Sequence, residues 1–259
     1  MEVVIETPAA LARIAADAVE RLVRDRPDAV LGLATGSSPL AVYDELVRRH
    51  EAGLSFASAR AFLLDEYVGL PADHPERYRT VIEREFASRV DIPTEAVRGP
   101  DGAAADLAAA CRDYEAAIAA AGGVDLQILG IGTDGHVAFN EPGSSLASRT
   151  RLKTLTEQTR VDNARFFDGD VSQVPRHVLT QGLGTIMAAR HLVLLATGRG
   201  KAEAVHQMVE GAISALWPAT VLQLHPHVTV LLDDAAASRL QLADHYRETW
   251  RHKPAWQGI

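Results

Sequence analysis

Cysteine is almost missing from this 259-residue chain, and its one copy, Cys111, has no partner within it. Intrachain disulfides and cysteine-built zinc sites are therefore both excluded. The setting of Cys111, AAACRDYEAA, predicts a thiol packed on a helix and not a reactive one. Long apolar runs are missing too. None approaches the roughly 20 residues that a bilayer crossing needs. The first residues, MEVVIETPAALARIAADAVE, lack the basic start and apolar centre of a signal peptide, so the expected compartment is the cytoplasm. Positive charge is in deficit, with 26 Lys and Arg against 34 Asp and Glu and a net charge of −8. No nucleic acid or anionic membrane partner is expected of such a surface. A small anion is different, since it needs only a few local cations and free backbone N–H groups.

What the chain does have is apolar content, 47%, enough to bury a large core in one domain over 1–259. Strands are predicted at AVLGLA (29–34), AFLL (61–64), LQILGI (126–131), HLVLLA (191–196) and VTVLLD (228–233). Helical spacing of three and four falls between them. It covers PAALARIAADAVERLVRD, PLAVYDELVRRHEAG, AAADLAAACRDYEAAIAAA, GKAEAVHQMVEGA and DAAASRLQLADHYRETW. This alternation predicts an α/β fold, a mostly parallel, doubly wound, Rossmann-like sheet with helices on both faces. The polar segment 154–175, TLTEQTRVDNARFFDGDVSQVP, reads either as a mobile lid or as a static surface helix and loop.

Two turns have the makings of an anion site. ATGSSP (34–39) joins a strand to a helix, with Pro39 suited to the first helical position and Ser37 or Ser38 to the cap. Small residues there let an anion approach N–H groups at the positive end of a helix. ATGRGK (196–201) repeats the arrangement and adds Lys201. Both would open on one edge of the sheet, where they can converge on one phosphate, and Arg165 in the lid segment can close over it as a charge-assisted donor. A capped turn without ligand is the bland alternative for each. Neither is a Walker A loop, because GxxxxGK[ST] is absent.

Acids cluster after two strands. LLDEYVGLP places Asp65 and Glu66 at a strand end, where an acid serves as a general base or only as a turn residue. LGIGTDGHVAFNEPGSS (129–145) brings Asp134, His136 and Glu141 to a glycine-rich exit. An imidazole oriented by carboxylates suits proton shuttling near neutral pH. Acids so crowded should also raise one another's pKa. The D-x-H-x4-E spacing equally invites a metal, but HExxH is absent, and His225 and His227 in LQLHPHVTV read as a turn into the last strand. No metal is expected. Residues alone point to an α/β enzyme that handles a small phosphorylated substrate by acid–base chemistry.

At these same residues the chain resembles the glucosamine-6-phosphate deaminase family. LGLATGSSP, LLDEYVGLPADHPERY, LGIGTDGHVAFNEPGSSLASRTRLKTLT, TRVDNARFF and LQLHP occur in that order over nearly the whole chain. The resemblance implies conversion of glucosamine 6-phosphate and water to fructose 6-phosphate and ammonia, without metal or organic cofactor. It implies Asp65 as the base between C2 and C1, and Asp134, His136 and Glu141 as the ring-opening group. Thr35, Gly36, Ser37, Ser38, Arg165 and Lys201 would hold the phosphate. It further implies a homo-oligomer activated by N-acetylglucosamine 6-phosphate through Ser144, Arg151, Lys153, Thr154 and Tyr246. Thr133 stands where many relatives have Asn, and the first loop reads GSS in place of GGT. Neither change removes a catalytic group. The alternatives are a 6-phosphogluconolactonase-like ester hydrolase and a non-catalytic sugar-phosphate sensor. Trp250 and Trp256 of the tail are expected to pack on the body or on a neighbouring subunit.

Overall fold

The computed structural model describes residues 1–254 and 256–259. Its strands are β1 (Glu2–Ile5), β2 (Val30–Leu33), β3 (Arg60–Leu63), β4 (Asp65–Tyr67), β5 (Val97–Arg98), β6 (Leu126–Leu129), β7 (Arg151–Thr154), β8 (His177–Thr180), β9 (His191–Ala196) and β10 (Val228–Leu232). The helices are α1 (Pro8–Asp25), α2 (Leu40–Glu51), α3 (Tyr78–Glu85), α4 (Leu107–Ala120), α5 (Glu157–Asn163), α6 (Leu183–Ile186), α7 (Ala202–Glu210) and α8 (Ala243–Arg251).

Seven strands form one sheet in the order β1-β10-β9-β6-β2-β3-β5, every adjacent pair parallel. β2, β6, β9 and β10 are buried at every residue. That is the mark of parallel strands covered by helices on both faces, and it explains why they read as unbroken apolar runs. α1 shows how a helix is attached. Thr7 accepts from the Ala10 N–H at its start, Pro8 takes the first turn, and Leu11, Ala15, Val19 and Val23 are buried along one stripe.

The strand order fixes where a ligand can sit. From β2 the chain moves outward to β3 and β5, then returns to the other side of β2 as β6. The loops leaving β2 and β6 therefore diverge, and the crevice between their carboxyl ends is the usual ligand position in open α/β sheets.

A second sheet was not foreseen. β4, β8 and β7 pair antiparallel, and Asp65 opens β4 opposite Thr180 instead of ending β3. The chain changes sheets at Leu64, whose carbonyl accepts from the Gln181 N–H. A separate apolar cluster of Tyr67, Phe139, Leu155, Ala164, Phe167, Val174 and Val178 joins this small sheet to segment 154–175.

Two expectations need correction. The helix over 234–250 starts only at Ala243, because the Gln241 and Leu242 N–H groups donate to the Glu210 carboxylate and that of Ala236 to Asp233. α2 starts at Leu40, with Pro39 as its cap residue and no side-chain cap from Ser37 or Ser38. Of the two alternatives for the tail, Trp250 packs on the main core, and Trp256, 82% exposed, drops packing on the body and keeps only the neighbouring subunit. Cys111 is buried on α4, and His225 and His227 lie in the turn before β10, both as the sequence suggested. Among the described residues no helix is long and apolar enough to cross a membrane.

Candidate active site

The loop after β2 needs a left-handed turn, and Gly36 supplies it with φ +94°. No protein acceptor takes the N–H groups of residues 35–38 among the described residues. Above them lies a cavity of about 470 Å³ whose wall includes Thr35, Gly36, Ser37 and Ser38. Unclaimed donors before a helix are suited to an anion, although the cap expected from the serines is absent. That absence leaves both serine hydroxyls free for a ligand.

Two further elements bring positive charge to this wall. Lys201 follows the turn after β9, where Gly198 holds φ +87° and its N–H is fixed by both oxygens of Asp233. Arg165 lies on a single 3-10 turn, Ala164–Phe166, with its guanidinium 4.6 Å from the Phe166 ring centre. Both line the cavity, as does Thr197, which sequence reasoning did not single out. Burial, and then the nearby Arg165 charge, pull the Lys201 ammonium below its ordinary pKa. An arriving dianion would relieve that repulsion.

The loop after β6 seats an imidazole. His136 lines the cavity, and its Nδ1 stands 2.6 Å from Asp134 Oδ1. The ring does not aim an N–H squarely at that oxygen, so the contact is a close approach and not a well-formed hydrogen bond. Asp134 also accepts from the His136 backbone N–H at 3.2 Å. Burial pushes the Asp134 carboxyl up, but the imidazole contacts outweigh it and the net shift is down. The mutual raising expected of crowded acids therefore does not hold for Asp134. Ala138 on the same wall has φ +52°, a strained backbone of the kind found at functional sites.

Gly132 was read only as part of a tight exit, yet the His136 ring packs directly over it. A Cβ there would lie 2.2 Å from His136 Cε1. Gly132→Ala should therefore displace the imidazole and leave the fold standing, because the obstructed group is a side chain. The expected result is a loss of about 100-fold in kcat at nearly unchanged melting temperature. Activity within a few-fold of the parent would show that the ring position is not critical.

Asp65 also lines the cavity and is only 6% exposed. Burial first, then the charge of Glu66, raise its carboxyl well above the ordinary range. Nearby, Tyr78 stacks on Phe139, Tyr67 packs tilted against both, and Asn163 of α5 donates to the Tyr67 hydroxyl at 3.0 Å.

Glu141 departs from expectation. Among the described residues the one carboxylate within ion-pairing distance of the His136 ring belongs to Asp134. Glu141 is 4% exposed, and its Oε1 accepts from the Thr156 N–H, the Thr156 hydroxyl and the Thr159 hydroxyl. It ties the start of α5 to the loop after β6. The segment above is braced as one unit by Arg160, which is buried and donates to the Val171 and Val174 carbonyls.

The activator positions fall apart within one chain. Ser144 is buried with its hydroxyl unpartnered, and Arg151 donates to Asn140 Oδ1 at 2.8 Å. Lys153 and Thr154 share β7 with Arg151. Tyr246 does not join them, for it sits on α8 with its hydroxyl 3.3 Å from Glu210. Among the described residues no three His, Cys, Asp or Glu side chains converge as a metal site would require.

The family described as glucosamine-6-phosphate isomerases/6-phosphogluconolactonase matches residues 5–231. The chain is 75% identical to a glucosamine-6-phosphate deaminase of Mycolicibacterium smegmatis and 61% identical to one of Streptomyces coelicolor, each over the full length of both chains. A solved monomeric glucosamine-6-phosphate deaminase superposes with a TM-score of 0.90 at 44% identity, covering 92% of this chain and 100% of that one. A 6-phosphogluconolactonase of Trypanosoma brucei reaches a TM-score of 0.73 at 22% identity, over 92% and 98%, a likeness of fold alone.

Proposed function

The chain belongs to the family of glucosamine-6-phosphate isomerases and 6-phosphogluconolactonases, and we infer that it is a deaminase within it, converting glucosamine 6-phosphate and water to fructose 6-phosphate and ammonia. One observation carries the siting of the reaction. A single cavity is walled by Asp65, His136, the 35–38 loop, Arg165 and Lys201.

The phosphate is held at the 35–38 N–H groups with Lys201, and Arg165 closes over it from segment 154–175, which we read as the mobile lid. That leaves the sugar between His136 and Asp65. His136, set beside Asp134, moves a proton from the anomeric hydroxyl to the ring oxygen and frees the aldehyde. Asp65 takes the C2 proton while the aldehyde oxygen gains one, giving an enolamine, and then returns a proton to C1. C1 is thereby reduced to a primary alcohol and C2 oxidised to an imine. Water adds to the imine, and ammonia leaves as the ketone forms. Glu141 acts on this sequence through the lid, not by touching the imidazole.

Incubation with glucosamine 6-phosphate should yield ammonia and fructose 6-phosphate in equal amounts, at a rate unaffected by a strong chelator. No turnover at any pH, with or without N-acetylglucosamine 6-phosphate, would sink the reading. Loss of turnover that one divalent metal restores would sink its metal-free part. The same assay tests the activator. Because Tyr246 lies on α8 while Arg151, Lys153 and Thr154 lie on β7, an activator site that uses all four takes Tyr246 from a second copy, and a homo-oligomer is part of that proposal. A cytoplasmic place of action completes it.

A further inference from the structure

Glu66 follows the base along β4, yet the two carboxylates have different surroundings. Asp65 lines the cavity and Glu66 does not, because successive strand residues face opposite sides. Glu66 is 1% exposed. Its oxygens accept from the N–H groups of Tyr67 and Tyr78 at 2.9 Å and of Arg79 at 3.0 Å. The Arg77 guanidinium stands 3.7 Å away. α3 has no side-chain cap of its own, so a glutamate from another element performs that service at its first turn. Burial pushes the Glu66 carboxyl above its ordinary pKa, and three N–H donors and the Arg77 cation offset part of that rise, one residue from a base that must itself lose a proton to work.

We propose that Glu66, held in place by the start of α3 and by Arg77, is a positioning residue that sets the pH at which the Asp65 base becomes competent. The inference rests on the assignment of Asp65 as the base of the deaminase reaction.

The other groups around Asp65 do not replace Glu66 in this role. Tyr67, Tyr78 and Tyr114 face it from β4, α3 and α4, and burial pushes each phenol up, so all three are neutral near pH 7. His136, Arg165 and Lys201 share the cavity, but His136 is paired with Asp134, and the two cations belong to the phosphate end. Glu76, Asp162 and the Arg84–Glu85 pair also border this wide cavity. Burial raises the Asp65 carboxyl first, and the Glu66 charge is the one neighbouring charge that raises it further. The sign follows. A negative neighbour opposes ionisation of Asp65, and Arg77 partly offsets that neighbour.

Two substitutions pull in opposite directions. Glu66→Gln keeps the volume and one acceptor oxygen but removes the charge, so the acid limb of kcat/KM should fall by about one pH unit. Arg77→Gln removes the offsetting cation, and the limb should rise by a smaller amount. Both are read with substrate deuterated at C2, so that the limb is measured on the step in which Asp65 takes the proton. A purely structural Glu66 would lower the plateau or the melting temperature and leave the limb in place. Limbs that stay put, or that move the same way in both variants, overturn the proposal. Should Glu66→Gln fail to fold, Arg77→Gln decides alone, since its side chain is 21% exposed and only an upward shift supports the idea. Asp65→Asn separates the two levels of inference. If it abolishes turnover while both limbs stay put, only the role of Glu66 fails; if it stays active, the assignment of the base fails.

Discussion

Asparagine in place of Asp65 lowers kcat by about 1,000-fold, some 4 kcal/mol of transition-state stabilisation, and leaves affinity for an open-chain 2-amino-alditol 6-phosphate within a few-fold. The change is nearly isosteric, so the cavity keeps its shape, and the phosphate contacts lie on other elements. What is lost is the capacity to accept the C2 proton. Stability should move the other way. A carboxyl whose folded pKa is raised favours its protonated form in the native state. Its contribution is fully present below the unfolded pKa and is lost as pH rises through the folded value. Above the ordinary carboxylate range the native enzyme thus bears the cost of burying this ionisable group, which the asparagine variant would not have. Asp65→Asn is expected to melt at a higher temperature than the parent at pH 8, with the difference shrinking toward pH 4. Turnover within ten-fold of the parent would remove Asp65 from its role. A lower melting temperature across that range would show that the carboxylate is stabilising as it stands.

The main sheet was legible because parallel strands covered on both faces must be apolar throughout, as HLVLLA and VTVLL are. The small sheet was not. β7 alternates half-buried and exposed residues over RLKT, and β4 is three residues long with two acids, so neither carries an apolar run. Their pairing depends on partners far apart in sequence, Asp65 with Thr180 and Arg151 with the same residue. This explains why Asp65 was placed at the end of β3. The site divides likewise. Residues at the ends of β2, β6 and β9 could be inferred because each strand exit is local. The role of Glu141 could not, since its partners Thr156 and Thr159 belong to a segment whose position no periodicity reports. Gly132 under the imidazole was visible only as a glycine, because a missing Cβ acquires meaning from what occupies its place.

His136→Gln should slow the enzyme for a different reason than Asp65→Asn, and the isotope effect tells them apart. Glutamine keeps a polar side chain beside Asp134, but it cannot take up and release a proton near neutral pH. Ring opening would then depend on the slow uncatalysed reaction in solution, and kcat/KM for the cyclic substrate should fall by roughly 100- to 1,000-fold. Asp65 and the phosphate loop remain in place, so whatever open-chain sugar arrives is processed quickly. Proton removal from C2 ceases to limit the rate, and the effect of deuterium at C2 should collapse toward unity. Affinity for the open-chain analogue should stay within about three-fold, because that ligand has no ring to open. An isotope effect that persists or grows in His136→Gln would place the imidazole in the isomerisation step itself, and would leave ring opening to another group on the cavity wall.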